Sequence, residues 1–150
     1  MFSKELLKET GMKKRAGMVM LLAFIMVFGL TGCYERRERA YYSDVNNFIT
    51  EEAVVDNIIY NEKDGYLVFW LSEIDEAYSA GDFILREENA RLLVERGVLD
   101  KVAQGDVIVF TSAPRFFGDG YFMPIVSLSV AGEELLRFDE GYENLMQEYR

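Results

Sequence analysis

Of the 26 acidic residues in this 150-residue chain, all but Glu5 and Glu9 lie beyond position 32, and no residue is histidine. Paired carboxylates are therefore the first chemistry to consider, as in glycoside hydrolysis, where one acid protonates and the other attacks or activates water. Asp75, Glu76, Asp82, Glu87 and Glu88 are the candidates, because they lie near the apolar strand Tyr66 to Ser72. The same positions also read as a solvated loop and a helix start. Without histidine, the Ser-His and Cys-His nucleophile pairs and all histidine metal sites are excluded. One cysteine excludes an internal disulfide and a cysteine zinc site. Asp64-Gly65 and Gly118-Asp119-Gly120 each offer one aspartate beside glycine, which is a turn signal rather than the spaced oxygen array of a calcium loop. No catalytic residue, cofactor or metal is expected.

A second candidate is the segment Arg115-Phe116-Phe117-Gly118-Asp119-Gly120-Tyr121. Two adjacent aromatics cannot both point inward from a regular strand, so one is left to sit at a glycine-rich tip or to fold back on a barrel end. Arginine and aromatics are enriched at interaction hot spots, which makes Arg115, Phe116, Phe117, Asp119 and Tyr121 the candidate partner-binding residues. Tyr66 and Trp70 sit in an apolar strand and are expected in the core rather than on a ligand face.

The N-terminus carries a different chemistry. Lys13, Lys14 and Arg15 precede an uncharged apolar run from Ala16 to Leu30, followed by Thr31, Gly32 and Cys33. A basic cluster, an apolar stretch and small residues before a cut have the form of a secretory signal, with Met12 an alternative start. In that setting Leu30-Thr31-Gly32-Cys33 resembles the lipobox of bacterial lipoproteins. The resemblance covers the first 33 residues only. It implies diacylglycerol transfer to the Cys33 thiol, cleavage after Gly32 and, with two or more acyl chains, stable membrane anchoring. The plainer alternative is an uncleaved helical anchor, for which 17 uncharged residues from Ala16 to Gly32 are at the short end of what spans a bilayer. Both place the following domain on the extracytoplasmic face of the cell membrane. Residues 33–48 are expected as lipidated cysteine and flexible tether, with Arg36, Arg37 and Arg39 close to the headgroups.

Positions 1–32 hold five basic and two acidic residues, which leaves 11 basic against 24 acidic from Cys33 onward, a net charge of -13. That sign argues against nucleic acid. Residues 49–150 are expected to form one domain. Ala53 to Asn61 and Tyr66 to Ser72 read as a hairpin around Asp64-Gly65. Phe83 to Leu85 adds a short strand and Arg86 to Arg96 a helix with acids in its first turn. Val107 to Ala113 and Tyr121 to Val130 are strands, with Phe122, Val126, Leu128 and Val130 on one face and Pro124 at an edge or bulge. Glu133 to Phe138 is a further short strand. Asp139 would cap a helix carrying Tyr142, Leu145, Met146 and Tyr149 at i, i+3, i+4 and i+7.

The fold class expected is α+β and β-rich: a small, partly closed five- or six-stranded antiparallel barrel with one internal helix and a C-terminal helix. Its element order is similar to the oligonucleotide/oligosaccharide-binding (OB) fold, and fold analogy assigns no function. The functional expectation is a non-enzymatic, lipid-anchored binding module at the cell envelope, its partner an envelope protein or glycan. The rival is a small carboxylate hydrolase or an accessory subunit of an envelope enzyme. The anchor has a direct test: Cys33→Ala stops metabolic lipid labelling and leaves unprocessed precursor, and normal processing of that variant would refute it.

Overall fold

Thirteen residues rich in β-branched side chains, Ile49–Asn61, form β1, long enough to serve two halves of a barrel. Its first part pairs antiparallel with β4 (Val107–Ser112) and its last part with β2 (Tyr66–Ser72), and a bulge between Val55 and Asn57 turns the strand from one to the other. Gly65, at φ +67°, supplies the left-handed residue of the β1–β2 hairpin. β2 pairs antiparallel with β3 (Asp82–Arg86). β5 (Met123–Val130) pairs antiparallel with β4 and with the short β6 (Glu133–Leu136). The computed structural model that shows this describes residues 36–78, 81–115, 117 and 123–150. The signal segment, Cys33, Phe116, Asp119 and Tyr121 lie outside the described residues.

The sheet order is β3-β2-β1-β4-β5-β6, and it closes because β3 also pairs with β5. That closing pair is parallel, Phe83 beside Met123 and Ile84 beside Pro124, so the barrel is mixed rather than wholly antiparallel and is closed rather than partly open. Pro124 sits in this seam, not on an edge. The interval between β3 and β4 holds two helices where one was expected, α2 (Glu87–Glu95) and α3 (Val98–Lys101), separated by Gly97 at φ +80°. Five strands closed in the order β1-β2-β3-β5-β4, with helices between β3 and β4, remain similar to the OB arrangement.

The interior is filled by side chains from every wall. Phe83 and Phe110 meet edge to face at 4.9 Å, with Tyr78 5.2 Å from Phe83. Leu67, Phe69, Leu85 and Ile108 complete the wall, and Ala90, Leu93 and Val98 of α2 and α3 join the same core. A second cluster lies outside the barrel. Val126 belongs to it with Ala113, Leu145 and Tyr42, because a bulge opposite Thr111 and Ser112 turns Val126 away from the side that Leu128 faces. Five partly exposed rings and Met146 pack around it from α4 (Phe138–Gln147) and its neighbours.

Two expectations are corrected here. Residues 36–42, expected as tether, are helical (α1), and Asp44 caps a 3₁₀ turn at Val45–Asn47. Tyr42 is 1% exposed, so the tether is structured where its aromatics find partners in the domain. The last helix starts at Phe138 after Arg137, and Asp139 lies in its first turn paired with Arg137 rather than serving as the cap.

Backbone contact sets the position of α4. A Cβ on Gly141 would lie 2.2 Å from the Val126 carbonyl oxygen, and the Gly141 carbonyl accepts a hydrogen bond from buried Asn89 of α2 at 2.8 Å. Gly141→Ala is expected to destabilise the domain by about 1–3 kcal/mol, the usual range for overpacking, read as a lower urea midpoint at unchanged slope. An unchanged midpoint would mean that α4 can shift freely on β5.

Candidate functional site

Three places gather side chains that could act, and the first is the segment after β4. Arg115 is exposed, and its guanidinium lies 5.1 Å from the Phe117 ring centre and 5.6 Å from that of Tyr41. Phe117 is partly buried and packs 5.6 Å from Tyr41 and 5.8 Å from Tyr42. It folds back on the second cluster instead of standing at a free tip. The Tyr42 hydroxyl donates to the Arg115 carbonyl at 2.8 Å, and burial holds that hydroxyl well above the usual tyrosine range. Of the five candidate residues, Arg115 and Phe117 are thus joined to α1.

The second place is the outer face of β1, β2 and β3. Inside and outside alternate along β2, with Leu67, Phe69 and Leu71 in the core and Tyr66, Val68 and Trp70 opposite. Trp70 is partly exposed and outside the core, contrary to the expectation for a lone tryptophan in an apolar strand. Strand register gives each aromatic two polar neighbours. Trp70 stands between Asn57 of β1 and Asp82 of β3, and Tyr66 between Asn61 and Arg86. Between these rows runs an apolar one, Ile59, Val68, Ile84 and Pro124, in which Ile59 is exposed while Val68 and Pro124 are buried. Asn61 donates to the Tyr66 hydroxyl at 3.0 Å and to Asp64 at 2.8 Å, which fixes the Tyr66 end of the face to the hairpin turn.

The third is a notch of about 10 Å³ lined by Glu38, Tyr42, Arg86, Asn89, Glu148 and Tyr149, among others. A space of that size admits at most one water. Burial pushes the Glu148 carboxyl up to about 7, with Glu87 and Glu38 adding to the rise and Arg86 opposing it.

The carboxylates singled out for hydrolysis do not converge. Asp75 and Glu76 sit in the loop after β2, Glu87 and Glu88 at the start of α2, and Glu88 is paired with Arg91. Asp82 and Glu87 stand at opposite ends of β3, roughly 16 Å apart at strand spacing. Among the described residues no group of three or more Asp, Glu, Cys or His could hold a metal, and no helix is long and apolar enough to cross a membrane. No family model, curated protein or solved structure matches the chain.

Glu148 makes stability depend on pH. Its folded value near 7 exceeds an ordinary carboxyl value of 4.5, so the folded state holds the proton more tightly. Stability from this group is present in full below about 4.5 and is lost as pH rises through 7. Glu148→Gln is expected to stabilise the domain on the order of 1–3 kcal/mol at pH 8, with the gain vanishing near pH 4.5. Urea titrations at the two pH values measure it, and an equal effect at both would show that Glu148 is not the responsible group.

Proposed function

We propose that this protein is a lipid-anchored module on the extracytoplasmic face of a bacterial cell membrane that acts by binding, with the outer face of β1, β2 and β3 as its ligand surface. The observation that carries the reading is the register on β2: Trp70 between Asn57 and Asp82, and Tyr66 between Asn61 and Arg86. Aromatic rings offer flat faces to the C–H surface of a sugar, while amide, carboxylate and guanidinium groups beside them suit its hydroxyls. A wall glycan therefore fits this face better than a nucleic acid, which would meet a chain of net charge -13 after Cys33. Binding on a strand 2–3 face is also the habit of OB-like barrels, an analogy of fold alone.

The hydrolase reading is the weaker one. Catalysis by two carboxylates needs both at one cleft, about 5–10 Å apart and open to substrate. The carboxylates around β2 and β3 are spread over loop, strand and helix, and Glu38 with Glu148 line a notch of about 10 Å³.

Cross-linking pull-down from intact envelopes tests the surface. Trp70→Ala with Tyr66→Ala is expected to lose the cross-linked wall fragment while the domain stays folded. Phe69→Ala, which empties core volume, is expected to cost about 3–5 kcal/mol and to unfold much of the population. Retention of the cross-link in the folded double variant overturns the choice of face, and a protein in place of glycan overturns the choice of partner.

A further inference from the structure

We propose that the contact between α1 and the end of α4 is a pH-operated latch, in which Glu38 and Glu148 must share one proton for α1 to stay seated on the domain. The latch is a property of the fold. Its use rests on the anchored reading above: it sets how far from the membrane the outer face of β1, β2 and β3 can stand.

Geometry brings the two acids together. Glu38 and Tyr42 are four residues apart and share one face of α1. Both line the notch described above, with Arg86 from the end of β3, Asn89 from α2, and Glu148 and Tyr149 from the end of α4. β5 contributes Pro124 and Ile125, which carry no charge. Tyr42, Asn89, Ile125 and Leu145 are buried around it. The Tyr42 and Tyr149 rings lie 6.1 Å apart, and the Tyr149 hydroxyl faces the Glu38 carboxyl.

Charge makes the contact conditional. Among the described residues that line the notch, two carboxyls meet one guanidinium, that of Arg86, and Glu87 at the start of α2 adds a further negative charge beside them. A space of about 10 Å³ leaves little water to screen the excess when both carboxyls are ionised. Glu148 accordingly gives up its proton only at about 7. Below that value the pair carries one proton and one charge, which Arg86 balances. Above it, separating the two elements relieves the repulsion.

Of the two elements, α1 is the one that gives. α4 is fixed by the close backbone approach of Gly141 to Val126 and by the two-pronged Arg96–Glu140 pair. The seven described residues of α1 are too few to persist as a helix alone in water. Side-chain contacts hold it, among them the Tyr42–Arg115 and Tyr142–Ser43 hydrogen bonds.

The test is amide hydrogen exchange of the full-length protein in bilayer discs, read as protection relative to the intrinsic rate at each pH. From pH 5.5 to pH 8.5 the Tyr42 and Ser43 amides are expected to lose roughly thirtyfold in protection, the factor that carboxyl values of about 7 when latched and 4.5 when free allow. Phe110 and Leu128, in the barrel, should keep theirs. In Glu148→Gln the loss should disappear. In Glu38→Gln, where Arg86 balances the remaining carboxyl, it should shrink several-fold. An unchanged α1 in the wild type overturns the proposal, as does an equal loss in Glu148→Gln or an opening confined to the Glu148 and Arg150 amides. Exchange reads this contact with or without lipid on Cys33, so failure of the latch and failure of the anchor are separate results.

Discussion

Two residue pairs, Phe83 with Met123 and Ile84 with Pro124, turn a strip of strands into a barrel. Without them β3 would be a free edge, as β6 is, and the core would lose one wall. The seam is short because Pro124 has no N–H to lend to a longer ladder. It holds because Phe83 and Met123 are both fully buried, as are their core neighbours Phe69 and Phe110. Closure is thus secured by packing more than by hydrogen bonds. Among the described residues the interior is filled by these side chains.

The outside is unequal. One flank, across β5, is covered by α1 and α4 through the second cluster, and Gly141 brings α4 into backbone contact with Val126. Arg96 adds a two-pronged bond to Glu140 at 2.7 and 2.8 Å, which ties α2 to α4, and it draws the Glu140 carboxyl below the usual range. The β1–β3 flank keeps Ile59 open and two aromatics beside polar groups. The domain therefore has a braced side that meets its own N-terminal helix and an unbraced side with a distinct surface chemistry.

Local signals were legible wherever neighbours in sequence decide the outcome. Asp64-Gly65 fixed the hairpin, β2 ran from Tyr66 to Ser72 as read, and Tyr142, Leu145 and Met146 of α4, with Tyr149 just beyond its end, pack against the second cluster. What could not be read depends on distant partners. The Tyr42–Arg115 bond spans 73 positions and the Tyr142–Ser43 bond 99, so residues 36–47 looked like spacer until those partners were in place. Strand β2 is apolar on both faces, and its alternation alone does not say which face turns inward. That ambiguity placed Trp70 in the core by expectation and outside it in the structure. The Arg115–Tyr41 contact was hidden for the same reason, since only folding brings the two together.

The attachment of α1 to β5 decides how the domain carries load. If the chain is held at Cys33 while its bound partner moves, tension enters through α1 and not through a strand end. It meets first the Tyr42–Arg115 hydrogen bond and the tilted and edge-to-face rings of Tyr41, Tyr42 and Phe117. Peeling α1 away would lengthen the tether by about a dozen residues before any barrel strand separated. In chain order, a pull on α1 would reach these side-chain contacts before the strand pairs of the barrel.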